Sequence, residues 1–265
     1  MLDTAPMQRS FGQARVTLSG GRLVALHQAG SAKAMLRLRG TPEVVFLNTS
    51  GGMTDGDRLE LSFGVTQGAA TATTQTAERA YRASPGGIPA RVRVSLSAGP
   101  GARLNWLPQE TIMFDDARLD RLTSVDLAPD AAFLGLETII LGRAAMGETV
   151  RRLGLTDRRV IQRNGRLLLS DPLRLTDAAL ARAGHALLGG ARAMAVLVLV
   201  QDGAADALVP IRAALDEPGV TAAASALDGR LVVRAVAADG WPLRRQMIRL
   251  IEILRPGALP RVWQI

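Results

Sequence analysis

The chain has 265 residues, with 32 Lys+Arg against 24 Asp+Glu for a formal charge of +8, no cysteine, two histidines and 3% aromatic residues. Disulfide frameworks, thiolate metal sites, thiol catalysis and three-histidine metal centres are thereby excluded. Lys33 is the single lysine; the remaining cations are arginines, scattered singly or in pairs such as Arg151-Arg152 and Arg244-Arg245. With few aromatic platforms for bases, this pattern fits a basic surface for protein partners better than a nucleic-acid site.

In chain order, Ala14–Leu18 and Arg22–Leu26 are two short runs around Ser19-Gly20-Gly21, which predicts a hairpin. Glu43–Leu47 predicts a short strand. Leu59, Leu61, Phe63 and Val65 alternate with Glu60, Ser62, Gly64 and Thr66, the period of a half-buried strand, and 91–96 alternates likewise. Turn residues recur at Gly68, Gly86-Gly87, Gly99-Pro100-Gly101, Pro129 and Gly154. The fold expected is mainly β, with many short strands in a coiled, β-helix-like or layered body and a few helices in the C-terminal third. A single domain is expected over 1–265, β-rich to about 172 and mixed α/β beyond it.

In that last portion Thr176 is expected to cap a helix running towards Leu188, with Gly189-Gly190 as its stop. A buried strand at Met194–Val200 should follow, then a short helix opening at Pro210 and ending before Pro218. Strands near Val220–Ala226 and Leu231–Ala237 precede a final helix near Pro242, which groups Leu243, Met247, Leu250, Ile251 and Leu254 on one face. The most apolar run, Ala193–Val200, is too short to span a bilayer, and Met1–Gly12 lacks the apolar region of a secretory leader. A cytosolic protein is expected.

Four clusters stand out. Asn48 to Asp57 holds Gly51, Gly52 and Gly56, which allow unusual backbone conformations, beside Asp55 and Asp57. It is neither a P-loop nor a Rossmann fingerprint, and it supplies only a fragment of a calcium loop. Next come the hydroxyl-rich Thr71–Thr76 with Glu78, Arg79 and Tyr81; then Trp106–Phe114, in which Gln109 and Glu110 sit amid apolar neighbours; then Leu141-Gly142-Arg143 with Gly147-Glu148. No nucleophile elbow or His-Glu-x-x-His is present, and His27 and His185 stand alone, so no catalytic residue is assigned.

These clusters, in this order, resemble the urease accessory protein UreD (UreH) family. The matching pieces are Gly51–Asp57, Thr73-Thr74-Gln75 through Tyr81-Arg82, Leu107–Ile112 with Phe114, Leu141-Gly142-Arg143 with Gly147-Glu148, Asp171-Pro172, and the ending from Arg244 to Trp263. The resemblance implies a β-helix-like body and a non-enzymatic maturation factor that binds urease apoprotein. With UreF, and through it the GTPase UreG, such a factor would support nickel delivery along a polar internal passage. No tightly bound cofactor is implied, only nickel in transit, and neither a nucleic acid nor a membrane is expected as a partner. A homodimer within the accessory complex is compatible with it. Family members often carry a lysine before the tyrosine of the second motif, whereas Arg79 stands two before Tyr81 here. Arginine keeps the charge without titrating.

Such a passage should be polar and free of strong ligands, because a tight site would trap the ion. Asp57, Glu78, Glu110 and Glu148 are the candidate lining carboxylates, each equally suited to turn capping or ion pairing. Gly51, Gly52, Gly56, Thr74, Gln75, Tyr81, Gln109, Gly142, Arg143 and Gly147 are candidate structural or interaction positions. Two rivals remain: a β-solenoid enzyme using paired carboxylates among Asp55, Asp57, Glu110 and Glu148, and an arginine-rich nucleic-acid-binding module.

Overall fold

A computed structural model of the chain describes residues 9–182, 184, 188–255 and 257–264. β1 (Phe11–Ser19) and β2 (Arg22–Gly30) form the expected hairpin, and β3 (Ala32–Arg37) pairs antiparallel with β4 (Glu43–Asn48). Gly20 and Gly21 turn the hairpin with φ of +54° and +79°, the left-handed pair that matches the twist of the flanking strands.

From β4 onward the chain coils. β5 (Arg58–Gln67) lies parallel on β1, and β6 (Ala69–Thr74) lies parallel on β4. β7 (Glu78–Ala80) then forms a short third side. The next turn stacks on this one: β8 (Ala90–Ala98) on β5, β9 (Arg103–Trp106) on β6, and β10 (Thr111–Met113) on β7. β11 (Ala117–Leu127) follows on β8, and β12 (Ala132–Leu141) runs along both β9 and β10. β13 (Leu153–Arg163) adds to β11, and β14 (Arg166–Thr176) returns antiparallel on β13. This is a β-helix with two wide sides and one narrow side.

The C-terminal elements extend the same body. After α1 (Asp177–Ala181), β15 (Ala193–Val200) joins β12 antiparallel. α2 (Leu208–Ala213), β16 (Val220–Leu227) and β17 (Arg230–Ala237) follow; β17 pairs with β15 on one edge and β16 on the other. The chain ends in α3 (Gly240–Leu254) and a single turn at Arg261–Trp263. One wide sheet has the order β14-β13-β11-β8-β5-β1-β2, the other β16-β17-β15-β12-β9-β6-β4-β3, with β7 and β10 attached at its side.

Alternation along the strands builds the core. Leu59, Leu61, Phe63 and Val65 of β5 point inward, and Leu104, Trp106 and Phe133 meet them from the second sheet. A second core lies on the other side of that sheet, where Leu197, Leu231 and Val233 pack against Leu243, Met247, Leu250 and Ile251 of α3. The Asp239 carboxylate caps α3 by accepting the Trp241 N–H at 2.7 Å.

Two predicted helices differ from expectation. Among the described residues the segment after Thr176 is helical over Asp177–Ala181 and Arg182 is extended, while residues 183 and 185–187 of the expected helix lie outside the described residues. Thr176 makes no capping hydrogen bond, and the Asp177 carboxylate instead accepts the Leu153 N–H at 2.6 Å. His185 lies outside the described residues. Pro210 is the third residue of α2, because a 3₁₀ turn at Ala204–Ala207 feeds directly into that helix.

Candidate functional site

Stacking coils bring residues far apart in sequence into register, and this builds a polar line inside an otherwise apolar tube. Glu78 of β7 lies beside Thr111 of β10, which lies beside Ile139 of β12. In a parallel ladder in-register side chains share a face about 4.8 Å apart, and Thr111 and Ile139 are both buried. The Glu78 side chain therefore points into the tube. It borders a cavity of about 50 Å³ whose lining includes Phe46, Asn48, Leu59, Leu61, Thr74 and Gln75.

The Glu78 carboxylate accepts from the Asn48 amide at 3.1 Å and the Arg79 N–H at 3.3 Å. Burial disfavours its charge more than these contacts restore it, so its pKa is pushed up to about 7. Arg79 turns its guanidinium away, to the Gly51 carbonyl at 3.2 Å. Glu78 is thus a part-buried carboxyl held by neutral donors.

Thr111 continues the line. Its hydroxyl accepts from Arg121 at 3.1 Å, and Arg121 grips Asp157 through two bonds of 2.8 Å. Arg159 bonds Asp157 at 2.7 Å, Glu137 at 3.0 Å and Asp171 at 3.0 Å. Arg234, half exposed on β17, closes the row on Asp171 at 2.6 Å. Glu137 also accepts the Thr123 hydroxyl. Three guanidinium groups thus offset three carboxylates, which buried charges require. Burial opposes ionisation of Asp157, yet Arg121 and Arg159 hold its pKa below the usual carboxylate range, and Arg234 and Arg159 do the same for Asp171. Beside Glu137 and Thr123, a space of about 20 Å³ fits one water molecule. The buried Trp106 indole N–H has no acceptor among the described residues.

Glu110, Asp57 and Glu148 lie off this row. Glu110 precedes β10, and its carbonyl accepts the Glu78 N–H at 2.9 Å. Its carboxylate approaches Arg244 at 3.5 Å. Asp57 accepts the Ser10 and Thr54 N–H groups at 2.7 and 2.8 Å, locking the glycine loop to the start of β1. Asp55, 1% exposed, accepts from Ser84 N–H and the Thr54 hydroxyl. Glu148 accepts Arg143 Nε at 2.8 Å and the Asp115 N–H at 3.2 Å. Those bonds outweigh its burial and hold its pKa low.

The other motif residues frame the narrow side. The Tyr81 hydroxyl donates to the Gly51 carbonyl at 2.8 Å, and its ring meets Phe114 edge-on at 5.0 Å, with the Arg143 guanidinium 4.3 Å from the Phe114 centroid. Gly52 has φ +151°, and a Cβ there would lie 2.4 Å from the Tyr81 ring. Gly56 also has a positive φ, and so do Gly142 and Gly147, which turn the segment around Arg143. The Thr74 hydroxyl accepts the Gln109 N–H at 2.9 Å, while Gln75 is exposed and donates its own N–H to the Phe46 carbonyl. The Gln109 side chain bonds Arg244 at 2.7 Å and the Val262 carbonyl at 3.1 Å, tying the C-terminal segment to the coil.

Sequence reasoning missed Arg121, Glu137, Asp157 and Arg159. The signal was present in strand parity: Leu153, Leu155, Asp157, Arg159 and Ile161 occupy one face of β13, so two charges fall on its apolar side.

The chain is similar over residues 11–264 to the family described as UreD urease accessory protein. Proteins named urease accessory protein UreD share its sequence over nearly their whole length. The protein from Paracoccus denitrificans is 58% identical over 263 residues, covering 98% of this chain and 94% of the relative. One from Cereibacter sphaeroides is 58% identical over 266 residues, with 97% and 96% covered. One from a Jannaschia species is 49% identical over 269 residues, with both chains covered in full.

Proposed function

The chain belongs to the UreD family of urease accessory proteins, and from that membership we propose that it is a non-enzymatic scaffold assembling with urease apoprotein, UreF and UreG in the cytosol. Its β-helix interior would serve as a polar route along which nickel, as cargo, reaches the apoenzyme. The observation that carries the reading is the internal polar row in which Asn48 and Glu78 stand one ladder step from Thr111, which is hydrogen-bonded on through Arg121, Asp157 and Arg159 to Asp171 and Arg234.

The chemistry supports transit rather than storage. Glu78 is the carboxyl of this row that no arginine side chain holds by a hydrogen bond, and the hydroxyl and amide groups about it solvate a cation only weakly. A divalent cation entering there would displace the proton that Glu78 holds near neutrality. Further along, each carboxylate carries an arginine counter-ion, so none presents a vacant chelating set.

The test is co-expression with the urease subunits, UreF and UreG, followed by nickel analysis of the matured urease. Glu78→Gln should leave the co-purifying complex intact and lower the nickel content of urease severalfold. Failure of the wild-type chain to co-purify under mild salt would overturn the scaffold reading. Unchanged nickel with Glu78→Gln would overturn the route.

A further inference from the structure

The two ends of the seven-stranded sheet are unlike. β14 closes one end and carries the usual guards of a free edge: Pro172, together with Arg166, Asp171 and Arg174. β2 closes the other, and among the described residues nothing pairs with its outer edge. Eight of its nine residues are exposed. Leu23, Val24 and Leu26 are 40%, 62% and 42% exposed.

Register explains the exposure. Leu26 lies opposite Val16 and Leu23 opposite Leu18, and both partners on β1 are fully buried. Leu23 and Leu26 therefore continue the core face of the sheet one strand beyond the point where a second layer covers it. Val24 is the extra residue at the irregularity between Thr17 and Leu18, and it too faces solvent. Among the described residues, the first coil of the β-helix is left with an open apolar margin and an unpaired row of backbone groups.

Charge selects the occupant. Residues 9–48 hold Arg15, Arg22, Lys33, Arg37 and Arg39, together with Arg9, which pairs with Asp55 at 3.4 Å, against one carboxylate within the stretch, Glu43, which is buried beside Arg37. Two such ends brought together would set these cations against each other, which disfavours a second copy of the chain. We propose that β2 is a docking edge for an extended segment of an acidic partner protein, which adds a strand to the sheet and covers Leu23, Val24 and Leu26. Strand addition takes its affinity from the unpaired backbone and its selectivity from alternate side chains. Carboxylates flanking an apolar stretch on the partner would meet Arg15, Arg22, Lys33 and Arg37. This inference rests on the scaffold role proposed above, since it requires a protein partner in the assembly.

The test uses the full chain co-expressed with the urease subunits, UreF and UreG, with a photo-crosslinking amino acid at position 24 and, as a control, at Val209, which is 77% exposed on α2. The expected result is a crosslink from position 24 to one partner segment with carboxylates around an apolar run, and none to that segment from position 209. Leu26→Asp should cut the co-purified partner on the order of tenfold, and Lys33→Glu with Arg37→Glu should weaken it in a salt-dependent way. A complex that forms while position 24 links to nothing, to a second copy, or to residues 1–8 of its own chain overturns the inference alone. So does a complex that Leu26→Asp leaves unchanged. If the wild-type chain forms no complex at all, the scaffold reading falls and this inference falls with it.

Discussion

Glu78 and Thr111 stand side by side on successive coils, 33 positions apart in sequence and joined in a parallel ladder. One carries a part-buried carboxyl held only by neutral donors, and the other accepts a hydrogen bond from the first arginine of the internal row. Their adjacency sets the cavity at the first coil one ladder step from the hydroxyl that meets the ion pairs of the third.

The raised pKa of Glu78 fixes a sign for stability. Because the folded chain keeps this proton up to about pH 7 while the unfolded chain loses it near 4.5, stability falls as pH rises across that window. Glu78→Gln removes the penalty. Urea unfolding should show the variant up to about 3 kcal/mol more stable at pH 8, with no gain at pH 4. A gain equal at both values would mean that Glu78 does not titrate in that range.

Asp157 and Asp171 act in the opposite direction, since their pKa values are lowered in the fold. Their contribution is present above the unfolded value near 3.8 and is lost as pH falls through their depressed folded values. Asp157→Asn leaves Arg121 and Arg159 short of their shared counter-ion and should cost about 3–5 kcal/mol at pH 7. The double variant Arg121→Met, Asp157→Leu should cost less than Asp157→Asn alone. Thermal unfolding of the two variants decides the point.

Gly52→Ala forces a Cβ to within 2.4 Å of the Tyr81 ring and 2.8 Å of the Arg79 carbonyl, at a φ of +151°. The expected loss is about 2–4 kcal/mol, from backbone strain and displacement of the ring. Adding Tyr81→Ala should recover only part of it, because the clash with the Arg79 carbonyl remains. A double-mutant cycle by urea unfolding measures the recovered share.

Trp263, 4% exposed, donates its indole N–H to the Leu107 carbonyl at 2.9 Å and lies under Arg244, 4.5 Å from its centroid. Trp263→Ala should cost about 3–5 kcal/mol and release the C-terminal segment, including the Gln109 bond to Val262. Amide exchange at the C-terminal turn and in β9 should accelerate, while β2 and β14 stay unchanged.

How much of this was legible in advance follows from the range of each interaction. Strands β1, β2, β4, β5 and β8 were readable because alternation and glycine turns are local. The helix predicted from Thr176 stops at Ala181 with Arg182 extended, because the Thr176 cap read from the sequence is not made and Asp177 is held instead by Leu153 of a distant strand. Of the four carboxylates singled out, the structure places Glu78 in the internal row, Asp57 at a backbone lock, and Glu148 and Glu110 with arginines. Which of these a carboxylate does depends on a neighbour dozens of residues away.

The sequence by itself determined the β-rich class, the exclusion of thiolate and multi-histidine metal chemistry, and the family, since composition, period-2 alternation and ordered motifs are properties of the chain in one dimension. Only the tertiary structure decided that Asp157 and Arg159 meet Arg121, Glu137 and Asp171, and that among the described residues β2 has no second neighbour. Both depend on coil stacking, which brings distant strands into register and ends where no further strand arrives.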